Sequence, residues 1–503
     1  MKDYPSSTEY KAVIGFEIHV QLATKSKMFG RAANNPDQAV PNTDIDEVNT
    51  GQPGTLPVAN KEAIRLAALV GLALNCQIDE WSKFDRKHYF YPDLPKGYQI
   101  SQYDQPISRA GYLDIEIMDI GGSKKTKRIG ITRAHLEEDA GKNIHPEGLA
   151  YSLVDYNRAG AALLEIVTEP EIESGEEARA FLQELRNIIR YLGASDCDME
   201  KGTMRCEPNI SVRKPGETGL PKYKVEVKNI NSFKFAEAAI NYEIARQTEI
   251  LKEGGIPKQV TMGWDEKNNK TVEQRSKEEA NDYRYFPDPD LPVLQFTKEY
   301  LDKLRNQMPE LPAQKRARFI NEFNLPLADV ENLINWKELA FYFENVVSEL
   351  DEWMEQKQGL DRNQLIKQAA NRCLQDFSAL LNQQKINPGD SRVLPENFAE
   401  LTTLTLSGAI SSSAAKTVFK VMFEKGGEPD NIMQDLGLEQ TSDEGAIATA
   451  IDSVIAANIK AVADYKAGQE KSFGFLVGQA MKELKGKGNP GMINDLLRKK
   501  LSK

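Results

Sequence analysis

Near the start of the chain lies the segment Val13-Ile14-Gly15-Phe16-Glu17-Ile18-His19-Val20-Gln21-Leu22. Apolar side chains occupy every second position from Ile14 onward, and the positions between them include Glu17, His19 and Gln21. A period of two is typical of a β-strand with one buried face. The segment therefore predicts a strand that packs its apolar face on a core and presents a carboxylate and an imidazole on the other face.

The same period recurs through the first 295 residues, in segments bounded by Gly, Pro or Asn: 12–22, 111–118, 128–136, 209–213 and 223–230. Between these segments, residues 61–74, 175–192 and 233–252 have helical apolar spacing, and the last of them ends at Gly254-Gly255, a helix stop signal. Strands and helices without regular βαβ alternation predict an α+β fold with an antiparallel sheet.

The pattern changes after residues 283–292. From Thr297 onward the apolar spacing is three and four, which predicts helices alone. The run Gly426-Gly427-Glu428-Pro429 is typical of a boundary before a last helical module. We therefore expect an α+β domain at 1–295, an all-α domain at 296–427 and a helical tail at 428–503.

Composition bounds the class of protein. The 503 residues carry 64 Lys and Arg against 75 Asp and Glu, a net charge of −11, and 40% of them are hydrophobic, which excludes disorder throughout. The four cysteines show no C-x-x-C spacing, which argues against a disulfide scaffold or a four-thiolate zinc site. The longest apolar stretch, residues 66–74, is far shorter than the ~20 residues of a membrane span. These features predict a cytoplasmic protein with no membrane partner.

Three segments predict a cluster of carboxylates. Glu17 and His19 share one strand face, although such a pair alone is more typical of a solvated sheet surface. The sequence Glu137-Glu138-Asp139 crowds three carboxylates at a strand end, where they repel one another unless a cation lies among them. Glu165 lies among Leu, Ile and Val, where an unpaired charge is costly. Together Glu17, His19, Glu138 and Glu165 predict a Mg²⁺ site beside nucleotide phosphates.

Positive side chains that complement phosphate occur at Lys87, at Arg205 and at Lys228, the last on a strand whose polar face is a row of charges. Each alone is more typical of a solubilising surface residue. As a set beside a metal-type cluster they favour a nucleotide or a phosphorylated substrate, so we predict these three as nucleotide-binding residues. No G-x-x-x-x-G-K-[ST] sequence occurs, which excludes nucleotide binding by a standard P-loop.

Two further features bear on nucleic acid. The aromatic run at residues 88–92 is equally consistent with stacking on a base and with packing in a core. Residues 464–503 carry nine Lys or Arg against four Asp or Glu, although the whole chain is acidic. The sequence therefore predicts a local contact between this tail and a phosphate backbone.

Longer motifs, in one order over essentially the whole chain, resemble those of the GatB subunit of the tRNA-dependent amidotransferase GatCAB. They include residues 15–22, 135–142, 164–170 and 283–292, together with Pro53-Gly54-Thr55-Leu56-Pro57-Val58, Tyr89-Phe90-Tyr91-Pro92-Asp93-Leu94-Pro95-Lys96-Gly97-Tyr98-Gln99, Asp155-Tyr156-Asn157-Arg158 and Met204-Arg205-Cys206-Glu207-Pro208-Asn209-Ile210-Ser211.

The resemblance implies a sheet cradle akin to glutamine synthetase, a helical domain and a YqeY-like tail that binds tRNA. It implies that ATP and Mg²⁺ are used to phosphorylate the side-chain carboxylate of Glu-tRNA(Gln) or Asp-tRNA(Asn). An amidase subunit, GatA, would supply ammonia from glutamine, and a small subunit, GatC, would join the complex. By position, Glu17, His19, Glu138 and Glu165 resemble the metal and kinase-site residues, while the roles of Glu137 and Asp139 are not separable.

One departure from the family concerns zinc. Some members hold zinc through four cysteines, and the corresponding positions here are Gly30, Ala32, Asp46 and Asn49. We therefore predict no structural zinc, and expect packing or a partner to stabilise residues 29–50.

Two other classes of function stay open. A free-standing ATP-dependent ligase on a small acid fits the carboxylates but gives the basic tail no task. A non-catalytic tRNA-binding scaffold explains the tail but not the crowded carboxylates. The sequence does not decide between Glu-tRNA(Gln) and Asp-tRNA(Asn) as the substrate.

Overall fold

The structure is a computed structural model that describes residues 10–35, 37–38, 40–118, 123–276, 282–356, 359–438, 444–484 and 487–502. It divides into two compact units, Met1–Pro312 and Ala313–Lys503. The first unit is sheet-rich and the second is helical, which confirms the predicted succession of a mixed region and a helical region. The finer boundaries at 295/296 and 427/428 stay predictions.

Strands and helices of the first unit follow in chain order. The strands are β1 (Lys11–Gln21), β2 (Trp81–Ser82), β3 (Asp85–His88), β4 (Tyr98–Ser101), β5 (Ser108–Met118), β6 (Lys124–Glu138), β7 (Lys142–Ile144), β8 (Leu153–Asp155), β9 (Ala162–Thr168), β10 (Met204–Arg213), β11 (Val225–Lys228), β12 (Val260–Asp265), β13 (Lys270–Ser276), β14 (Phe286–Pro287) and β15 (Leu294–Gln295). The helices are α1 (Lys61–Ala73), α2 (Gly175–Tyr191), α3 (Phe233–Lys252) and α4 (Lys298–Asn306).

The main sheet has eight described strands in the order β13-β12-β11-β10-β1-β9-β6-β5. Neighbours pair antiparallel except for β11 and β12, which are parallel. β1 lies near the middle, so the alternation of Ile14 to Leu22 sets which face of the sheet is buried. Phe16 and Ile18 are fully buried and belong to one apolar core with side chains of α1, α2 and α3.

Side-chain caps fix where these three helices begin. The Asn60 side chain accepts hydrogen bonds from the backbone amides of Glu62 and Ala63, and Ser174 and Ser232 cap the other two helices in the same way. Since the helices cover one face of the sheet, the polar side chains of β1, β6, β9 and β10 share the opposite face. We call this opposite face the polar face.

A small sheet, ordered β14-β3-β4, packs beside the end of β6. The Gln99 side chain donates a hydrogen bond to the Glu138 backbone oxygen over 2.6 Å, and the Leu136 amide donates to Gln102 Oε1 over 2.9 Å. These bonds tie Gln99, the last residue of the motif at residues 89–99, and Gln102 to the strand that carries the crowded carboxylates.

Asp46 holds the loop at residues 29–50, which contains the four positions where some family members have cysteines. One carboxylate oxygen of Asp46 accepts a hydrogen bond from the Ala32 amide and the other accepts one from the Asn49 amide, each over 2.8 Å. Gly30 approaches so closely that an added Cβ would lie 2.2 Å from Asp46 Oδ2. An aspartate network thus joins the positions Gly30, Ala32, Asp46 and Asn49.

The second unit consists of helices: α5 (Pro312–Phe323), α6 (Leu327–Ile334), α7 (Lys337–Gln356), α8 (Arg362–Arg372), a π-turn (Cys373–Phe377), α9 (Ser378–Gln384), a 3₁₀ turn (Pro388–Asp390), α10 (Pro395–Leu406), α11 (Ser412–Lys425), α12 (Pro429–Asp435), α13 (Glu444–Ala457), α14 (Ile459–Lys466), α15 (Glu470–Glu483) and α16 (Pro490–Leu501). The helices α13, α15 and α16 bury an apolar cluster of their own.

Among the described residues no single helix is long and apolar enough to cross a membrane. Only α13 and α14 taken together, bent by 91°, meet the length and composition that a span requires.

Candidate active site

Strand register brings charged residues into one row across the polar face. His19 on β1 pairs with Arg205 on β10 and with Glu165 on β9, and Glu165 in turn pairs with His135 on β6. Glu137 follows His135 by two positions and therefore shares its face. We call His19, His135, Glu137 and Glu165 the His–Glu cluster.

Within the His–Glu cluster both imidazoles face both carboxylates. The Nε2 atoms of His19 and His135 each lie 3.4 Å from Glu165 Oε2. Each Nε2 atom also lies 3.7 Å from an oxygen of Glu137. These separations exceed the ~2.7–2.9 Å of a charge-assisted hydrogen bond, so the four groups surround a common point without closing on one another.

The electrostatics of the cluster favour positive charge at this point. Burial acts to lower the pKa of His19, but the close approach of Glu165 and the charges of Glu137 and Glu165 outweigh burial and raise that pKa from 6.5 to about 9. Burial acts to raise the pKa of Glu165, yet the charges of His135 and His19 hold it well below its usual range. The carboxylates therefore attract a proton to His19, and a divalent cation competes for the same position.

The donor set fits a divalent cation. Ligand atoms of His19, Glu137 and Glu165 all lie within 4.8 Å of one another. Carboxylate oxygens suit Mg²⁺, and imidazole nitrogen is an accepted ligand of transition metals. The Nδ1 atoms of His19 and His135 are buried and have no hydrogen-bond partner among the described residues.

Glu138, one of the predicted site residues, points elsewhere. Its carboxylate accepts a hydrogen bond from Lys96 Nζ over 2.7 Å and one from the Ile100 amide over 3.0 Å. Both side chains of the Glu138–Lys96 pair are buried. Successive residues of a strand face opposite sides, so Glu137 joins the His–Glu cluster and Glu138 joins the small sheet.

Glu17 belongs to a second acidic group on the polar face. Oxygens of Glu17, Glu207 and Glu226 lie within 4.8 Å of one another, and Asn209 Nδ2 donates to Glu17 Oε1 over 3.1 Å. Lys228, predicted to bind nucleotide, lies 2.8 Å from Glu207 Oε2 and 3.4 Å from Glu226 Oε1. Burial acts to lower the pKa of Lys228, but these carboxylates raise it above its usual value, so this lysine is positively charged.

The other two predicted cations occupy separate positions. Arg205 donates to Asp139 Oδ2 over 2.8 Å, and Arg158 lies 3.5 Å from the same oxygen. The charge of Asp139 raises the pKa of Arg205, so the guanidinium beside His19 stays charged. Lys87 lies 4.9 Å from the ring centroid of Tyr283, as in a cation–π contact.

Four tyrosine side chains contact one another, and the charges of the His–Glu cluster act on one of them. Tyr103 stacks on Tyr285 with ring centroids 4.3 Å apart, and Tyr283 contacts Tyr285 and Tyr89 edge to face. Burial raises the pKa of Tyr285, and the charges of Glu137 and Glu165 raise it further, which places this tyrosine within the field of the cluster. Phe90, Tyr91 and Tyr103 are exposed.

The structure thus separates the four predicted metal-site residues into three places. It brings His19 and Glu165 together and adds His135 and Glu137, which the sequence interpretation does not select. Glu17 lies with Lys228, and Glu138 lies with Lys96. The period of two in β6 is a signal for choosing Glu137 with His135, because these two residues share a strand face.

Comparison with known proteins identifies the class. Residues 12–302 match the family described as the GatB/GatE catalytic domain, and residues 354–501 match the GatB domain. Full-length relatives are named as the B subunit of aspartyl/glutamyl-tRNA(Asn/Gln) amidotransferase. That of Carboxydothermus hydrogenoformans is 47% identical over 498 residues, covering 98% of this chain and 99% of that protein. That of Persephonella marina is 48% identical over 493 residues, covering 98% and 100%.

These matches identify the class of this chain as a subunit of an amidotransferase. The chain belongs to the GatB family, as its two domain matches and its full-length relatives show.

Proposed function

We propose that this chain activates and amidates the side-chain carboxylate of misacylated Glu-tRNA(Gln), Asp-tRNA(Asn) or both, giving Gln-tRNA(Gln) or Asn-tRNA(Asn). The observation that carries the proposal is the His–Glu cluster on the polar face of a chain whose full-length relatives are named for this activity. If the chain were a scaffold that only binds tRNA, the two carboxylates and two imidazoles around one point would have no function.

The reaction needs an activated carboxylate, because a carboxylate ion is a poor acyl donor at neutral pH. We infer that ATP transfers its terminal phosphoryl group to the side-chain carboxylate, and that ammonia then displaces phosphate from the acyl phosphate. His19, Glu137 and Glu165 are the residues that would hold Mg²⁺, with His135 beside them. Bound there, Mg²⁺ would neutralise charge that develops on the transferring phosphoryl group.

Side chains around the cluster suit the handling of phosphate. Arg205 is fixed beside His19 by its ion pair with Asp139, so its guanidinium is oriented before any ligand binds. Lys228 supplies a second charge on the polar face, between Glu207 and Glu226. Lys87 is the third predicted phosphate ligand, and its place over Tyr283 puts it beside the group of contacting tyrosines.

The exposed aromatic side chains suit the aminoacylated end of tRNA. Unstacked bases are commonly bound by aromatic rings, and the Tyr103–Tyr285 stack has an exposed member. We therefore place the terminal adenosine of the tRNA at this stack, with the amino acid directed to the His–Glu cluster.

Assembly and location follow from the same proposal. The chain works with the amidase GatA and the small protein GatC in a heterotrimer, in the cytoplasm, where aminoacyl-tRNA is made. Its sheet-rich unit is a cradle of glutamine-synthetase type at residues 1–295, followed by a helical domain at 296–427 and a YqeY-like tRNA-binding tail at 428–503.

The test is formation of amidated aminoacyl-tRNA by this chain co-expressed with GatA and GatC. Each misacylated tRNA is supplied separately with ATP, Mg²⁺ and glutamine. We expect product that disappears when ATP is omitted or when this chain is left out. A complex that assembles and hydrolyses glutamine, yet amidates neither tRNA, would contradict the proposal and favour the scaffold.

A further inference from the structure

Arg133 presents a guanidinium at the edge of the His–Glu cluster. It precedes His135 by two positions on β6, so its side chain leaves the strand on the polar face. Its Nη2 atom lies 3.9 Å from Glu165 Oε1, whereas both imidazoles face the other oxygen of that carboxylate. This separation exceeds the ~2.7–2.9 Å of a charge-assisted hydrogen bond. Arg133 therefore lies beside the cluster without being bonded to it.

The donors of Arg133 are available to a ligand. Its side chain is 40% exposed, and it makes no hydrogen bond within the part of the chain that the structure describes. A guanidinium has five N–H donors in a planar fork that matches the two oxygens of a carboxylate. Two other cations of the polar face are already paired, Arg205 with Asp139 and Lys228 with Glu207. Arg133 thus keeps its donors for a molecule that reaches this face.

Arg133 also interacts with the tyrosine stack. Burial raises the pKa of Tyr285, as do the charges of Glu137 and Glu165. The charge of Arg133 acts on the same hydroxyl in the opposite sense, so the two side chains are close enough to interact. Tyr285 stacks on the exposed ring of Tyr103, where we place the terminal adenosine of the tRNA. The amino acid is esterified to the ribose of that adenosine, so it would lie between the stack and the cluster, beside Arg133.

The side-chain carboxylate of this amino acid needs a cation at its binding site. Glu137 and Glu165 repel an anion that approaches the cluster, and a positive group beside them offsets the repulsion. We propose that Arg133 binds the side-chain carboxylate of the aminoacyl group and thereby distinguishes the acidic substrate from the amide product. This inference rests on the proposed function and names the residue that recognises the group to be amidated.

The same contact favours release of the product. Amidation replaces a charged group that has two acceptor oxygens by a neutral group that has one. Hydrogen bonds to an ionised acceptor are roughly twice as strong as those between neutral groups. The guanidinium of Arg133 therefore holds the amide less tightly than the acid.

The test compares binding of the acid and amide forms of one tRNA by the complex of this chain with GatA and GatC. The probes are glutamyl- and glutaminyl-tRNA(Gln), or aspartyl- and asparaginyl-tRNA(Asn), with the amino acid joined to the 3′ end by a stable amide bond. ATP and glutamine are omitted, so neither form is converted. We expect the wild-type complex to bind the acid form more tightly.

Arg133→Met should remove this preference. We expect affinity for the acid form to fall roughly 10- to 100-fold relative to the amide form, the value of a hydrogen bond to a charged group. Uncharged tRNA, which carries no amino acid, should bind the variant like the wild type and shows that the variant is folded. Arg133→Lys keeps the charge but not the fork, so it should recover part of the preference.

Arg128→Met is the matched control. Arg128 lies on the same strand and is exposed, but its guanidinium is bonded to both carboxylate oxygens of Asp114. Its loss should leave the preference for the acid form unchanged. An equal loss of preference in Arg128→Met would show a general effect of charge and would overturn the inference.

The inference is also overturned if the wild-type complex binds the acid and amide forms equally. A third contrary result is that Arg133→Met raises the Mg²⁺ requirement of transamidation and keeps the preference for the acid form, since Arg133 would then only support Glu165. Failure of the proposed function is a different result: a complex that hydrolyses glutamine and amidates neither tRNA. ATP-dependent transamidation with an unchanged preference in Arg133→Met would reject the role of Arg133 alone.

Discussion

At the scale of the residue, Glu165 is where both imidazoles of the His–Glu cluster meet. Glu165→Gln keeps the shape and removes the charge that faces His19 and His135, each 3.4 Å away. We expect the Mg²⁺ concentration needed for half-maximal transamidation to rise by at least the roughly 10- to 100-fold that loss of a residue supporting a metal ligand causes. Titration of activity with Mg²⁺ measures this, and Glu169→Gln is the control, because Glu169 bonds to Thr132. If both variants need the same Mg²⁺ concentration for half-maximal activity, the assignment of Glu165 to the metal site is wrong.

Glu138 tests a different kind of role. Its carboxylate pairs with Lys96 over 2.7 Å, and both side chains are buried. Glu138→Gln leaves the Lys96 ammonium without its countercharge, so we expect the unfolding free energy of the sheet-rich unit to drop by about 3–5 kcal/mol. Urea unfolding measures the change, and Glu138→Gln with Lys96→Met should recover part of it. Loss of transamidation with unchanged stability would instead assign Glu138 to the chemistry.

Because Lys27 is buried, we predict that the stability of the folded chain depends on pH. Its ammonium is buried and donates to the Ala159 backbone oxygen over 2.6 Å, and burial lowers the pKa of Lys27 from 10.5 to about 8. Between these values the unfolded chain binds a proton that the folded chain does not, so folding gains stability as the pH rises from about 8 to 10.5. Lys27→Met lacks this contribution. The melting temperature of the wild-type chain minus that of the variant should therefore increase from about pH 8 to about pH 10, and a constant difference would contradict the assignment.

At the scale of the element, alternation within a strand could be predicted from the sequence and the pairing of strands could not. The helix at Phe233–Lys252 agrees with the predicted bounds, because its cap and its glycine stop are local signals. The neighbours of β1 are β9 and β10, which follow it by more than 140 residues. That pairing sets His19 opposite Glu165, and no local pattern specifies it. Residue type alone favours Glu138 as a metal ligand. The period of two in β6, however, places Glu138 and His135 on opposite faces of the strand.

Contact between β5 and the end of α1 is tight enough to predict the effect of one methyl group. A Cβ at Gly111 would lie 2.3 Å from Cys76 Sγ and 2.6 Å from the Leu74 backbone oxygen. Gly111→Ala should therefore lower the unfolding free energy by about 1–3 kcal/mol, as overpacking does. Gly474→Ala is the control, because nothing lies within 4 Å of the added methyl and alanine favours helix α15 by about 1 kcal/mol. Thermal unfolding that moves both variants in the same direction would refute the packing argument.

At the scale of the whole molecule, the proposed binding of tRNA is expected to be local, because an acidic chain carries a basic tail. The chain has a net charge of −11, yet residues 464–503 carry nine Lys or Arg against four Asp or Glu. Lys482 and Lys499 are exposed on α15 and α16, and the apolar cluster beneath them is built from other side chains. Their substitution therefore changes charge without emptying the core of the tail.

The double variant Lys482→Glu with Lys499→Glu should weaken tRNA binding and reduce its salt dependence. Each lost phosphate contact lowers the slope of log K against log salt by about 0.7–0.9, because fewer counterions are released. Lys61→Glu with Lys125→Glu changes the net charge equally at exposed positions of the sheet-rich unit. Filter binding of tRNA between 50 and 200 mM salt, taken as roughly the range over which such contacts weaken, separates the two. If the slope falls equally in both double variants, tRNA binding depends on the net charge of the chain, and the tail is not the binding site.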